Sequence, residues 1–329
     1  MVKVSYVLGI LNAERTLKEC IDSILMQKFS RKDYEVIIGD GGSTDNTLKI
    51  VKSYIKKEKN IKLFHNPYKL SEGKGMAKDQ GVNLSKGEFI VFLDHDNILL
   101  NKDWIKHILE PFKDKRVMAS QSLTSPIPKD TNFLKYINAL GVEDPFATPY
   151  SLVAQVVLNQ NKFNKQKDYF IFDLSPKKIL FFGANGCAFR KSVFKAINGY
   201  TRDVDVSANM AHHNMRVAIH SKPRIYHKTS NNMLSFMKKK ATYFYRFMNK
   251  EYGTKSFKWT QLGQPPSTIK FFLMVLTNLT LVVPLIDVLP QLFKTKKLFW
   301  LLHPFYVFYL TLLYGIITLS KIKNFFKYV

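Results

Sequence analysis

The first 120 or so residues switch repeatedly between two hydrophobic periods. Residues 4–11 are an apolar run rich in β-formers, and Asn12 follows as a residue able to cap a helix. Leu17, Ile21, Ile24 and Leu25 then recur at helical spacing. A second strand is expected over 34–38. GDGGSTDNT, residues 39–47, is a turn with several capping side chains, and Leu48, Val51, Tyr54 and Ile55 make the next helical stripe. Residues 61–64 read as a short strand, and a loop with Gly73 and Gly75 leads to a weaker helix over 77–84. Residues 88–93 are the strongest strand, with another at 116–120. Strands alternating with helices predict an α/β fold, a Rossmann-like and mostly parallel sheet flanked by helices on both faces.

The last third follows a different pattern. From about residue 237, MKKKATYFYRFMNKEYGTKSFKW interleaves cations with aromatic rings. Such a stretch suits single-stranded nucleic acid or an anionic bilayer surface. Two apolar segments follow, 269–293 and 298–319, each about the length of a bilayer span. They decide for an anionic membrane as the partner, with no nucleic acid expected. Asn278, Pro284, Asp287 and Pro290 interrupt the first segment, and His303 with Pro304 opens the second. Lysines flank the KTKK turn and the chain end (Lys321, Lys323, Lys327), so the positive-inside rule gives no orientation. Two arrangements stay open: a transmembrane hairpin with both ends in the cytosol, or helices lying in the interface. The soluble alternative is a buried helical pair packed on the first domain. The expected organisation is a domain over 1–235, in halves 1–122 and 123–235, and a membrane-associated helical segment over 236–329.

Composition supports this picture. The 329 residues are 46% apolar, enough to bury a sizeable core. Fifty Lys and Arg against 25 Asp and Glu leave a charge of +25, which favours a polyanionic neighbour. Cys20 and Cys187 match no zinc spacing and no disulfide framework, so a reducing compartment is the default. The N-terminal apolar stretch is too short for a secretory signal and reads as a strand entering a helix.

Candidate chemistry concentrates in FIVFLDHDN, residues 89–97. Ligands of open α/β sheets bind beyond the carboxyl ends of the strands, where Asp40 and Asp94 fall. Alternation along an extended chain turns Asp94 and Asp96 the same way and His95 aside. Two carboxylates at one rim need a cation or hydrogen-bond donors to neutralise them. Magnesium or manganese prefers oxygen ligands and commonly bridges a carboxylate to a diphosphate. The plainer reading is that both aspartates cap a turn before the next helix.

The order of motifs resembles the family 2 glycosyltransferases of GT-A fold. SYVLGILNAE, IIGDGGSTDNT, GMAKDQGVNLSKGEFIVFLDHDN, GANGCAFRKSVFKAINGY and PRIYH stand in that family's sequence, over roughly residues 3–230. The resemblance implies an inverting, membrane-associated transferase that takes a sugar from a nucleotide-diphosphate donor with Mg or Mn. It makes Asp40 a partner of the base or ribose, and Asn12 and Glu14 liners of the nucleotide pocket. It places Lys78 by the diphosphate, Asp96 as principal metal ligand and Asp94 beside both metal and nucleotide. The GANGCAF segment, with Asn185 and Gly186, falls on the acceptor side. Some positions depart: Gly9 and Leu11 replace proline and tyrosine, Gly41 replaces an aspartate, and Asn97 stands where a third acid can occur.

An inverting transferase needs a general base. Counting back from PRIYH, the family's Glu-Asp pair falls on Arg202 and Asp203. Asp203 is therefore the expected base, with Asp205 second, against the alternative of a solvated acidic loop after Gly199. Arg202 is expected to hold a phosphate or carboxylate of the acceptor. His212, His213, His220 and His227 are expected to be ordinary or acceptor-lining residues, with His227 the one that best fits an approach to the site; no HExxH spacing occurs. Residues 124–180 are expected to face the acceptor; Glu143 and Asp144 are candidate active-site carboxylates, against the favoured reading of a helix-end or turn role. The implied acceptor carries a hydroxyl or phosphate, and the basic apolar tail suggests a lipid-linked one, such as a polyprenyl phosphate or a polyprenyl-linked glycan, used at the cytoplasmic face of the cell membrane. The rivals are a nucleotidyltransferase or sugar-phosphate enzyme on a similar scaffold, and a non-enzymatic basic membrane or nucleic-acid-binding protein.

Overall fold

The computed structural model describes residues 2–147, 152–153, 168–177, 179–182, 185–246, 248–249 and 265–320. The first elements are β1 (Val4–Ile10), α1 (Leu17–Leu25), β2 (Tyr34–Asp40), α2 (Thr47–Ile55), β3 (Ile61–His65) and α3 (Ala77–Leu84). Then come β4 (Phe89–Phe92), β5 (Asn97–Leu99), α4 (Trp104–Leu109), β6 (Val117–Thr124) and α5 (Asn132–Leu140). Further on are β7 (Leu152–Val153), β8 (Tyr169–Asp173), β9 (Leu180–Phe181), β10 (Cys187–Arg190), α6 (Ser192–Ala196), α7 (Asp203–His212) and β11 (Arg216–His227). The chain continues with α8 (Met233–Arg246), α9 (Pro265–Asn278), α10 (Val282–Thr295) and α11 (Leu302–Ser320). Two compact units result: Met1–Ser125 with Leu152–Lys228, and Pro126–Ser151 with Thr229–Val329.

The first unit is built on one large sheet of order β3-β2-β1-β4-β10-β6-β11-β5, with β8 also paired to β11. Strands β1, β2, β3 and β4 pair in parallel. Every residue of β1 and β2 is buried, as expected for parallel strands with both faces covered. The second half makes the sheet mixed. β10 lies antiparallel between β4 and β6, and β5 and β8 pair antiparallel with β11. One apolar layer gathers around Tyr6, Ile21, Trp104 and Ile108, and another around Phe92, Phe189, Phe194 and Met210.

Close backbone approach explains one departure of sequence. A Cβ on Gly9 would lie 2.5 Å from the Cβ of Ser71, because the loop before α3 crosses that strand end. The same loop brings Glu72 over the sheet.

In the second unit, α5, α8 and α11 share an aromatic core that includes Phe133, Tyr136, Phe236, Trp300 and Tyr306. The Tyr136 hydroxyl and His303 Nδ1 are hydrogen-bonded at 2.7 Å. Asp144 accepts from the Tyr314 hydroxyl at 2.8 Å, and Lys240 lies 3.3 Å from Glu143. Glu143 and Asp144 thus tie helices of this unit together. The first apolar segment is not one straight span. It breaks after Asn278, and the helical stretches Thr268–Asn278 and Val282–Thr295 meet at 79°. Leu281 takes a left-handed backbone at the break, and Pro284 and Pro290 withhold amide donors from α10. The second segment is continuous: Leu298–Ser320 has mean hydropathy 1.5 and is long and apolar enough to cross a membrane. Lys321, Lys323 and Lys327 lie outside the described residues, as do 247 and 250–259 of the basic-aromatic stretch.

Candidate active site at the strand ends

The parallel strands end at a common rim, with Ile10, Asp40 and His65 in register. The Asp40 carboxylate is 3% exposed and accepts from the amides of Gly42 and Ser43 and from the Ser43 hydroxyl. Its charge therefore shapes the turn that follows β2. Asn12 does not cap α1, which begins at Leu17 after Thr16. Its backbone is left-handed (φ 49°) and its side chain accepts from the Thr44 amide at 2.9 Å. Glu14 accepts from the Asn46 amide at 3.0 Å and the Asn46 side chain at 2.9 Å. Asn12, Glu14 and Asp40 thus hold two loops edge to edge at one end of the rim.

Asp94 and Asp96 stand on the loop between β4 and β5. No helix follows until α4, so the turn they make joins two strands. Asp94 is clasped from two sides. Asn185 donates its amide nitrogen to Asp94 Oδ2 at 2.6 Å and accepts from the Asp94 backbone N–H at 2.8 Å. Lys78 Nζ lies 3.1 Å from Asp94 Oδ1 and 2.8 Å from Glu72 Oε1. The Lys78 side chain is 0% exposed. Its ammonium sits 5.7 Å from the centre of the Tyr200 ring, and the Tyr200 hydroxyl donates to Asp203. Sequence positions 72, 78, 94, 185, 200 and 203 thereby converge.

Gly186 allows this convergence. It is left-handed (φ +66°), and an added Cβ would lie 2.4 Å from Ser122 Oγ and 3.0 Å from Ile225. Gly186→Ala is expected to destabilise the first unit by about 1–3 kcal/mol and to loosen Asn185 from Asp94. Urea unfolding compared with wild type checks it.

Asp96 faces His227. Its Oδ2 is 3.3 Å from His227 Nε2, its Oδ1 accepts from Asn97 Nδ2 at 3.1 Å, and its carbonyl accepts from the Lys228 amide at 2.8 Å. The end of β11 therefore closes over the second carboxylate. His95 turns away, as alternation predicts, and its Nδ1 is hydrogen-bonded with Thr16 Oγ1 at 2.7 Å.

The electrostatics follow from burial. Burial alone would lower the Lys78 ammonium, but Asp94, Glu72 and Asp203 more than reverse this and hold it well above its ordinary value. Burial would raise Asp94, but the charge of Lys78 and the Asn185 amide leave it lowered. Glu72 is pushed up to about 7, first by burial and then by the charge of Asp203. About a third of the Glu72 side chain (34%) remains exposed. Burial, then the charges of Asp96 and Asp94, raises the Cys20 thiol, whose Sγ lies 3.6 Å from the Asp94 carbonyl. Neither buried cysteine is paired.

Asp203 and Asp205 fall in the first turn of α7, and Arg202 precedes it in extended conformation. Asp205 is 2% exposed, whereas Asp203 is only partly buried. Two residues apart on a helix, they look in different directions. Glu72 and Tyr200 were not singled out by sequence. Glu72 carries one local signal, its place in a glycine-rich loop six residues before Lys78; Tyr200 reads as an ordinary core aromatic.

The donor set fits a hard divalent cation. Asp94 is held by the charge of Lys78 and the Asn185 amide, and Asp96, a carboxylate 19% exposed, stands two residues on as a second oxygen ligand. Beside it the buried Asn97 Oδ1 has no hydrogen-bond partner among the described residues. Such an orphaned oxygen next to a carboxylate is suited to magnesium or manganese.

A parallel half-sheet with paired carboxylates beyond its strand ends defines a protein of the Rossmann-like α/β class. The family model described as glycosyl transferase family 2 matches residues 5–197, and the chain belongs to that family. Among curated relatives, the poly(ribitol-phosphate) beta-glucosyltransferase of Bacillus spizizenii is 35% identical over 98 residues, 30% of this chain and 15% of that protein. The glycosyltransferase GlyG of Streptococcus pneumoniae is 30% identical over 112 residues, 34% of this chain and 36% of that protein. The matches thus span well under half of these relatives. Among solved structures, the mannosyltransferase PcManGT of Pyrobaculum calidifontis, in complex with GDP-Man and Mn2+, aligns with TM-score 0.57 at 13% identity, covering 95% of this chain and 86% of that one. TarS 1-349 of S. aureus, in complex with UDP-GlcNAc, gives TM-score 0.51 at 16% identity, covering 98% and 92%. These likenesses establish the GT-A fold.

Proposed function

We propose that this chain is a membrane-associated inverting glycosyltransferase. It moves a sugar from a nucleotide-diphosphate donor to a hydroxyl or phosphate of an acceptor. The observation that carries the reading is the convergence of Lys78, Asp94 and Asp203 beside the Asp96–His227 pair at the strand ends.

The donor lies across the rim, with its base and ribose over the loops held by Asn12, Glu14 and Asp40. Magnesium or manganese, held by Asp96 and Asp94, supplies positive charge to the diphosphate leaving group. Lys78 adds a fixed positive charge from beneath the rim, where it is fully buried and held by Asp94 and Glu72; it acts through its field rather than by contact, so little reorganisation is needed as the glycosidic bond breaks. The acceptor oxygen attacks the anomeric carbon from the side opposite the diphosphate. Asp203 takes its proton, and the Tyr200 hydroxyl fixes the orientation of that carboxylate. Asp205 is too buried for this task and serves the fold of α7. Asn185 and Gly186 form the acceptor-side wall, with Arg202 and His227 beside it.

The continuous apolar helix Leu298–Ser320 and the outward apolar side chains of α9 and α10, such as Phe272, Leu276 and Ile286, support association with a membrane, and the reading puts the first unit at its cytoplasmic face. A charge of +25 suits an anionic leaflet and a phosphate-bearing, lipid-linked acceptor. The poly(ribitol-phosphate) named for the Bacillus relative is a phosphate-bearing polyanion.

The test is a binding panel of nucleotide diphosphates and their sugars on detergent-solubilised protein, with and without Mn, for wild type and Asp96→Ala. One nucleotide is expected to bind in a Mn-dependent way, and Asp96→Ala to weaken it more than about tenfold. Folded wild-type protein that binds no nucleotide in any metal would sink the reading.

A further inference from the structure

A second cluster of ligand-type side chains lies in the first unit, away from the strand-end rim. His107 lies in the last turn of α4, and Glu110 follows three residues later, in the 3-10 turn Glu110–Lys113. At that spacing both side chains share one helix face. His220 comes from β11, seven residues before His227. Extended chain of that length separates the two histidines by up to about 20 Å.

We propose that His107, Glu110 and His220 form a zinc site that ties α4 to β11, with water as a fourth ligand. One ligand atom from each of the three residues lies within 4.8 Å of the other two. His220 Nε2 is already 3.6 Å from Glu110 Oε2. Ligand atoms on a tetrahedral zinc sit about 3.3–3.5 Å apart, so small side-chain rotations close the site. The second observation is His220 itself. Its side chain is 0% exposed, and its Nε2 has no hydrogen-bond partner among the described residues. A buried ring nitrogen without a partner is rare and calls for a ligand. Packing of Tyr169 and His107 against the ring, at 5.4 and 6.0 Å between centres, accounts for its burial but leaves that nitrogen unsatisfied.

The donor set selects the metal. Two imidazoles and one carboxylate suit zinc, whereas magnesium and manganese prefer the oxygen-rich rim. The nearby carboxylate of Asp168 is engaged by Lys222 at 2.5 Å, which leaves Glu110 as the anionic ligand. In the metal-free state His220 Nδ1 accepts from the Lys222 amide at 3.2 Å. Zinc capture at Nε2 moves the ring proton to Nδ1 and gives up that long hydrogen bond. The site's role is structural: it braces the strand that presents His227 to Asp96.

The experiment uses tag-free full-length chain in detergent, stripped with chelator and titrated with zinc chloride. Bound zinc per chain and thermal unfolding are read for wild type, His107→Ala, Glu110→Gln and Asp96→Ala. His107 and Glu110 are not fully buried, so these substitutions spare the core that His220→Ala would disturb. Wild type is expected to bind one zinc and unfold at higher temperature with it. His107→Ala and Glu110→Gln should each weaken zinc at least about tenfold, while Asp96→Ala binds zinc as wild type does. No zinc uptake at micromolar metal overturns the proposal. So does uptake that survives both cluster substitutions, or uptake lost only in Asp96→Ala, which would put zinc at the strand ends instead.

Discussion

Asp203→Asn is expected to abolish sugar transfer while leaving nucleotide binding within about twofold of wild type. Asparagine keeps the shape of the side chain and can still accept from the Tyr200 hydroxyl, but it cannot take a proton from the acceptor. Loss of a positioned general base reduces turnover by about 10²–10⁴. Asp205→Asn is the control. Its carboxylate is buried, so its effect should fall on stability rather than turnover. The experiment measures turnover with a donor and acceptor pair alongside the nucleotide affinity. Asp203→Asn that keeps a tenth of wild-type turnover would exclude Asp203 as base. The same substitution has an electrostatic signature. The charge of Asp203 helps to raise Glu72 to about 7, so removing it should bring Glu72 back towards its ordinary 4.5. Carboxyl chemical shifts followed against pH report this directly.

The second large effect is expected at Lys78. Lys78→Met removes the ammonium that lies 2.8 Å from Glu72 and 3.1 Å from Asp94. Glu72 and Asp94 then face each other with their shared cation gone and only the Asn185 amide still held to Asp94. Breaking a buried ion pair from one side typically destabilises by about 3–5 kcal/mol, and a similar loss is expected here in urea unfolding followed by tryptophan fluorescence. Lys78→Met combined with Glu72→Gln should recover part of it, because the second change removes one of the stranded charges. An unchanged unfolding midpoint in Lys78→Met would overturn the account.

The three groups act in different pH windows. Lys78 is raised, so its stabilisation is complete below its ordinary 10.5 and is lost only as pH rises through a still higher value. Asp94 is lowered, so its contribution is present above its ordinary 3.8 and is lost as pH falls through its folded-state value. Glu72 is raised, so the stability held by its protonated form is complete below 4.5 and lost as pH rises to about 7. Stability of the wild type should therefore carry a declining component between those two values, and Glu72→Gln should remove it.

The elements β1, α1, β2, α2 and α3 were legible because hydrophobic periodicity is a local property and these segments bury their apolar face next to chain neighbours. Asp94 and Asp96 were legible for the same reason: a strong apolar strand that ends in carboxylates points to a rim. β10 was different. Cys187 to Arg190 reads as a fragment of a motif, but in the sheet it runs antiparallel between β4 and β6. Such pairing is decided by contacts distant in sequence, and it is what delivers Asn185 to Asp94.

Sequence by itself determined the alternation of strands and helices, the carboxylates at a strand end, the lysine at position 78 and the apolar character of the last third. Those properties follow from residue type and spacing. Tertiary structure alone decided that Glu72 and Tyr200 join Lys78, Asp94 and Asp203, that Asp205 is buried, and that α9 and α10 meet at 79°. It also set the pKa values, because burial and neighbouring charge depend on which distant segments fold against a group, and no local pattern encodes that.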